Sequence, residues 1–173
     1  MKEKLNKLPQ AAGIAILVVC IFGGVALGNG NALRSATREA NRSLPAVEQI
    51  LSERTGKASN LVTLCERYIP QSDATAQLKD ARNAVSAARS AEEMYDANLR
   101  LSGAAEAAHI ALNQAEMTDT DKKLLIGVLD ELLSSQLQLE RESRNYNEKI
   151  DKAVSVYHKL PTQFLHEEPK GFE

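Results

Sequence analysis

Three observations predict an all-α protein. Aromatic residues make up only 4% of the chain and tryptophan is absent, while hydrophobic residues reach 43%, the balance of a core built from alanine and leucine rather than rings. No proline interrupts the stretch from Gln71 to Leu160. Apolar residues recur in a four-three alternation along most of the chain after the first apolar run. A sandwich or barrel needs aromatic and β-branched residues with frequent turns, so the all-β class is excluded. The expected architecture is an N-terminal transmembrane helix followed by an antiparallel up-and-down bundle of three long segments, the middle one broken to give four. The corresponding division is a short N-terminal segment (1–9), a transmembrane helix and junction (10–33), the helical bundle (34–165) and a flexible tail (166–173).

The anchor comes first. No charged residue occurs from Leu8 to Leu33, and the apolar centre Ala11–Leu27 is 17 residues long. At about 1.5 Å per residue this approaches the roughly 30 Å of a hydrocarbon core, and the uncharged flanks supply the rest. Ala11, Ile14, Leu17, Val18, Cys20, Phe22, Val25 and Leu27 are the expected membrane-spanning residues. A cleaved secretory signal, with Ala26-Leu27-Gly28 at the processing site, is the competing reading, but the apolar run exceeds the usual signal core. Acylation of Cys20 fits less well, because Val19 precedes it and the apolar run continues beyond. Lys2, Lys4 and Lys7 lie before the segment and Arg34, Arg38 and Arg42 follow it, so charge assigns no orientation. The three arginines share a helix face. Each gains about 1 kcal/mol from anionic headgroups if that face meets the membrane; a solvated helix edge explains them equally. Gly24 and Gly28 have the spacing of a helix-pairing motif and leave a homo-oligomer open. With five of the nine glycines between Gly13 and Gly30, chance is the simpler account of that spacing.

The first helix beyond the anchor carries its seam through Ala40, Leu44, Val47, Leu51, Arg54, Ala58, Leu61, Cys65 and Tyr68, with Arg54 the single exception. Pro45 predicts a kink or a start near Ser43, and Pro70 an end. In the middle, Leu78, Ala81, Val85 and Ala88 keep one register, whereas Met94, Leu101, Ala105, Ala108, Leu112 and Ala115 keep another. Ser90-Ala91-Glu92-Glu93 has the form of a capping box, which places the break there, and Ser72 with Asp73 caps the piece before it. The last helix has the longest pattern: Leu125, Leu129, Leu132, Gln136, Leu139, Ser143, Tyr146, Ile150, Ala153, Tyr157 and Leu160. Thr118–Asp121 starts it and Pro161 stops it. From Thr120 to Leu160 it would run roughly 60 Å. Its two polar seam positions, Gln136 and Ser143, are candidates for fixing register or marking an opening in the packing. The acidic tail from His166, with Pro169 and Gly171, predicts no fixed conformation.

The residues then suggest a family. Arg141-Glu142-Ser143-Arg144-Asn145-Tyr146-Asn147-Glu148-Lys149-Ile150, continuing to Tyr157-His158-Lys159-Leu160-Pro161, resembles the ending of LemA family proteins. Ala97-Asn98-Leu99-Arg100-Leu101-Ser102-Gly103-Ala104 is similar to the mid-chain stretch of that family. Asn31-Ala32-Leu33, Asn60-Leu61-Val62 and Ala81-Arg82 sit where its pattern places them. Thr55-Gly56-Lys57-Ala58-Ser59 departs from the acidic-leucine-isoleucine-proline stretch usual there, and the tryptophan common in the first helix is missing. The resemblance implies a bacterial single-pass envelope protein with a helical bundle and no settled molecular function. It also implies a short N-terminus outside the cell and a cytoplasmic bundle.

Catalytic constellations are not expected. No phosphate-binding loop, HExxH, nucleophile elbow or CxxC occurs. Cys20 and Cys65 lie too far apart in the pattern to pair, and Cys65 reads as a small buried hydrophobe. His158, His166, Glu167 and Glu168 fall mostly in the tail and do not make a fixed zinc set. Glu92/Glu93, Asp119/Asp121 and Glu140/Glu142 sit at helix starts or on wet faces, where nothing shifts a carboxyl toward acid-base work. The formal net charge is −2, and no basic face interleaved with aromatics offers itself to nucleic acid. The sequence therefore predicts no enzyme, no cofactor and no metal. It predicts membrane lipid and an unidentified protein as partners for a scaffold-like protein at the cell membrane. The alternative is a binding module with a groove between helices for a peptide, lipid or small ligand, and a cavity near Gln136 and Ser143 would favour it.

Overall fold

The computed structural model describes residue 20, residues 24–159 and residues 166–172. Helices dominate these residues: α1 (24–41), α2 (Leu44–Tyr68), α3 (Asp73–Ala87), α4 (Ala91–Leu112) and α5 (Asp119–Tyr157), with no strand among the described residues. The chain divides into two compact units, one formed by Asn41–Glu148 with Lys170–Glu173, the other by Met1–Ala40 with Lys149–Pro169.

The larger unit holds the bundle of α2, α3, α4 and the first part of α5. Pro45 lies in the first turn of α2, where its missing N–H costs nothing, so the chain starts a new helix after Ser43 rather than kinking an old one. At the other end, Ile69 N–H donates to Cys65 O at 2.8 Å and Pro70 prevents continuation. The buried Thr75 hydroxyl donates to Ile69 O at 2.8 Å, fixing α3 to the end of α2. The break before α4 carries the predicted capping box: Glu93 N–H donates to Ser90 Oγ at 3.1 Å, and Ser90 N–H donates to Glu93 Oε2 at 3.2 Å. Backbone donors from Arg89 and Ser90 hold the Glu93 carboxyl below its ordinary range. Thr118 caps α5 by accepting from Asp121 N–H at 3.2 Å.

Contacts between helices set their directions. Along α2, Arg54, Lys57 and Arg67 meet Leu132, Glu131 and Asp121 of α5, so rising numbers on one helix meet falling numbers on the other. Likewise Lys79 pairs with Glu66 at 2.7 Å and Arg82 reaches Ser59 at 3.5 Å, which makes α3 antiparallel to α2. Short connections leave sequential helices no other arrangement. The core combines Val47, Leu51, Ala58, Leu61 and Cys65 with Leu78, Ala81, Val85, Met94, Leu101, Ala105, Ala108 and Leu112, all buried. Burial pushes the Cys65 thiol up.

In α5 the buried stripe is rotated relative to the predicted seam. Leu125, Leu132, Leu139 and Tyr146 are buried as expected, but Val128 and Ser135 take the positions foreseen for Leu129 and Gln136, which are only half-buried. One end of this helix is tied to α2 by Asp121, which accepts from Arg67 Nη1 at 2.8 and 2.9 Å and from the Tyr68 hydroxyl. The Tyr68 hydroxyl and the Arg67 guanidinium hold the Asp121 carboxyl below its ordinary range.

The tail differs from its composition-based expectation at its last described residues. Phe172 is buried and meets Tyr95 edge-on, with ring centroids 5.6 Å apart. The Asn147 side chain clamps the Phe172 backbone, accepting from its N–H at 2.7 Å and donating to its carbonyl at 2.9 Å. Tyr146 donates to Lys170 O at 3.2 Å, and Lys170 pairs with Glu92 at 2.9 Å. A side-chain amide that reproduces a backbone hydrogen-bond pair gives even a polar tail a fixed end.

In the smaller unit, Gly30, Leu33 and Ala40 of α1 and Ile150 and Ala153 of α5 are buried. His166 packs against α1 at Gly30, its Nε2 3.4 Å from where a Cβ would stand. His158 and Glu168 approach to 3.4 Å. Arg34 and Arg38 are exposed on α1, and Arg42 is exposed in the turn that follows. Of the expected membrane-spanning residues, Ala11, Ile14, Leu17, Val18 and Phe22 lie outside the described residues, while Cys20, Val25 and Leu27 are exposed. Among the described residues no helix is long and apolar enough to cross a membrane.

Candidate functional site

The site begins with the charged residue that interrupts the apolar seam of α2. Arg54 is 2% exposed. A guanidinium in that position has lost its water, and burial pushes its pKa down from the usual value while Glu140 pulls it back up. It stays charged, because the ordinary arginine value lies far above neutral pH. Three polar groups answer it: Nη1 donates to Leu132 O at 2.7 Å and to Ser135 Oγ at 3.4 Å, and Nη2 donates to Ser102 Oγ at 3.0 Å. Guanidinium carries five N–H donors, and the buried Nε has no partner. No carboxylate forms an ion pair with Arg54 among the described residues.

This cation forms part of the lining of a groove of about 500 Å³ between α4 and α5. Leu101 and Ala105 of α4 and Ile126, Leu129, Leu132 and Leu133 of α5 make its apolar walls. Ser102 and Gln136 stand with Arg54 at one end, while Glu106, His109 and Asp130 also border it. The walls continue onto the surface. Ile126, Leu133 and Leu137 are 60%, 62% and 59% exposed, although each is a large aliphatic side chain on one face of a helix. Apolar side chains left in water beside a concavity mark a surface built to be covered.

Helix spacing explains the groove. Alanine dominates α4, and Ala105 is too short to fill the space opposite Leu129 and Leu133. The rotation of the α5 stripe then follows from charge. Ser135 faces inward because its hydroxyl sits beside the guanidinium while donating to Leu132 O at 2.9 Å, which carries Gln136 round to the groove wall. Gln136 accepts from Asn98 Nδ2 at 3.3 Å and donates to Glu140 Oε1 at 3.0 Å. Asn98 is buried, and its Oδ1 has no partner.

Of the two polar seam positions singled out from sequence, the structure brings Gln136 to the groove. Ser143 is not part of it; its hydroxyl donates to Glu140 O at 3.2 Å within its own helix. Arg54 was visible in the sequence only as a break in the apolar pattern, and a charge at a buried register was the signal to follow. Asn98, Ser102 and Ser135 had no such signal, since isolated polar residues in a helix look the same wherever they point.

A second groove, of about 470 Å³, lies between Leu51, Thr55, Val85 and Met94, but its arginine is exposed to solvent. Arg89 Nη1 donates to Ser86 O at 3.0 Å and Ala88 O at 2.9 Å. Among the described residues no three His, Cys, Asp or Glu side chains converge as metal ligands would. The arrangement offers binding: an apolar trough with a cationic donor group at its floor. No protein-family model matches the chain and no curated protein matches it.

Proposed function

We propose that this chain is a membrane-tethered, non-catalytic protein of the LemA type whose bundle acts as a binding module. The α4–α5 groove carries the reading: large aliphatic side chains stand exposed around a trough that ends at a buried, incompletely bonded guanidinium. The uncharged apolar run Ala11–Leu27 supports the tether, and the arginine-rich ending with its tyrosine-asparagine pair supports the family. The tether sets the location at the cell membrane and brings the groove within reach of lipid-borne or membrane-protein ligands. The groove favours the binding-module alternative of the sequence reading over a purely structural scaffold.

The test places a photoreactive amino acid at Leu133 in the full-length protein in its native membrane, with Asn60 on the exposed face of α2 as control. Binding through the groove predicts a discrete small adduct at position 133 and none at 60. Equal labelling at both positions refutes the reading. Reporter fusions at the two termini assign the side of the membrane that carries the bundle.

The exposed stripe Ile126, Leu133, Leu137 favours a second reading, in which the same face receives an amphipathic segment of a membrane protein. A protein-sized adduct at 133 identifies that case.

A further inference from the structure

The floor of the groove specifies more than an apolar ligand. A buried guanidinium is costly unless its charge is matched and its donors are used. Arg54 meets only neutral acceptors, two serine hydroxyls and one carbonyl, and three of its bonds leave Nε unpartnered. Nε and Nη2 form one edge of the guanidinium, the edge that binds a carboxylate through two parallel hydrogen bonds. Nη2 is already turned toward Ser102, a residue that lines the groove. No carboxylate pairs with Arg54 among the described residues, and Glu140 acts on it only from a distance, so a planar anion arriving past Ser102 would supply the counter-charge in direct contact.

The walls define the rest of the ligand. From Ile126 to Gln136 the trough follows α5 for about 15 Å, bordered by Leu129, Leu132 and Leu133 on that side and by Leu101 and Ala105 on the other. That length suits one extended alkyl chain of medium size. The groove, of about 500 Å³ and one helix-to-helix gap wide, is matched in size by a single such chain. Charge argues the same way. Glu106 and Asp130 border the groove in exposed positions, and they repel a doubly charged phosphate more strongly than a carboxylate.

We propose that the α4–α5 groove binds a medium-chain fatty acid, its carboxylate held by Arg54 and Ser102 and its alkyl chain lying along Ile126, Leu129, Leu133 and Ala105. This rests on the groove being a ligand site and names the chemistry of the ligand. Gln136, held between Asn98 and Glu140, closes the polar end.

The full-length chain is reconstituted in phosphatidylcholine vesicles and photolabelled with diazirine-bearing decanoic acid or with the corresponding alcohol, and adducts are mapped by peptide sequencing. The acid is expected to label the segment from Ile126 to Leu137 at least about tenfold more efficiently than the alcohol, the ratio of one hydrogen-bonded charge. Unlabelled decanoate competes and decanol does not. In Arg54→Met the groove still takes the alcohol, and the preference for the acid disappears, with the fold checked by circular dichroism. Equal labelling by acid and alcohol in the wild type overturns the carboxylate assignment while leaving the groove a ligand site. So does a preference that survives Arg54→Met. Absence of groove labelling by either probe overturns both this assignment and the binding-module reading for apolar small molecules.

Discussion

Replacing Arg54 by methionine separates stability from function, because the two substitutions Arg54→Met and Arg54→Ala should behave oppositely. The native guanidinium gains two good hydrogen bonds, at 2.7 Å to Leu132 O and 3.0 Å to Ser102 Oγ, and a long one at 3.4 Å. Bonds from a charged donor contribute about 1.5–3 kcal/mol each, so the strong pair supplies about 3–6 kcal/mol. Stripping the cation of water costs several kcal/mol, which offsets that gain. Methionine keeps an unbranched stem of similar length and removes the charge. Few groups are orphaned by the change: Ser135 keeps its bond to Leu132 O at 2.9 Å, and Ser102 is half-buried at the groove. Arg54→Met should therefore lie within about 1 kcal/mol of the wild type or be more stable, whereas Arg54→Ala opens a void and loses about 2–5 kcal/mol. Urea denaturation of the full chain in vesicles, followed by far-ultraviolet circular dichroism, reports both as shifts in midpoint at constant slope. A loss beyond about 3 kcal/mol in Arg54→Met would show that the arginine is a brace of the fold rather than a group held ready for a ligand.

Three further outcomes are expected. Asp121 has its carboxyl held low in the folded state by Tyr68 and Arg67, so the stability it provides is present above the ordinary aspartate value of 3.8 and is lost as pH falls through the lower folded value; Asp121→Asn should flatten that acid limb in a pH series of melting temperatures, and an unchanged limb would assign it to other groups. Phe172→Ala should release the tail, because ordering three residues costs about 3–6 kcal/mol of backbone entropy and the ring's burial, about 1.5–3 kcal/mol, is the largest single contribution that offsets it; hydrogen exchange at the Phe172 amide, now held by Asn147 at 2.7 Å, should accelerate sharply, and a protected amide in the variant would contradict the clamp's dependence on the ring. Ser90→Ala removes one half of the capping box and should cost about 0.5–2 kcal/mol by chemical denaturation, with a neutral result showing that packing alone starts α4.

The outer frame of the bundle was legible because its signals are local. Pro45, Pro70, Ser72 and the Ser90–Glu93 box fix helix ends through bonds made within a few residues, and the three breaks before α2, α3 and α4 fall where those residues stand. Antiparallel packing followed from the short connections between sequential helices. The rotation of α5 was not legible, since shifting from Leu129 and Gln136 to Val128 and Ser135 depends on a cation brought from another helix seventy-eight positions away in sequence. The docked Phe172 depends likewise on Asn147 and Tyr95, which only the fold places together.

By itself the sequence determined the helical class, the number and ends of the bundle helices and the two candidate polar positions. The tertiary structure decided what those positions do. It placed Gln136 on a groove wall and left Ser143 bonded within its own helix, and it turned the anomalous Arg54 into the floor of that groove. The physical reason is range: capping and periodicity act over one or two turns of helix, whereas an unmet charge acquires meaning only from the groups that folding gathers around it.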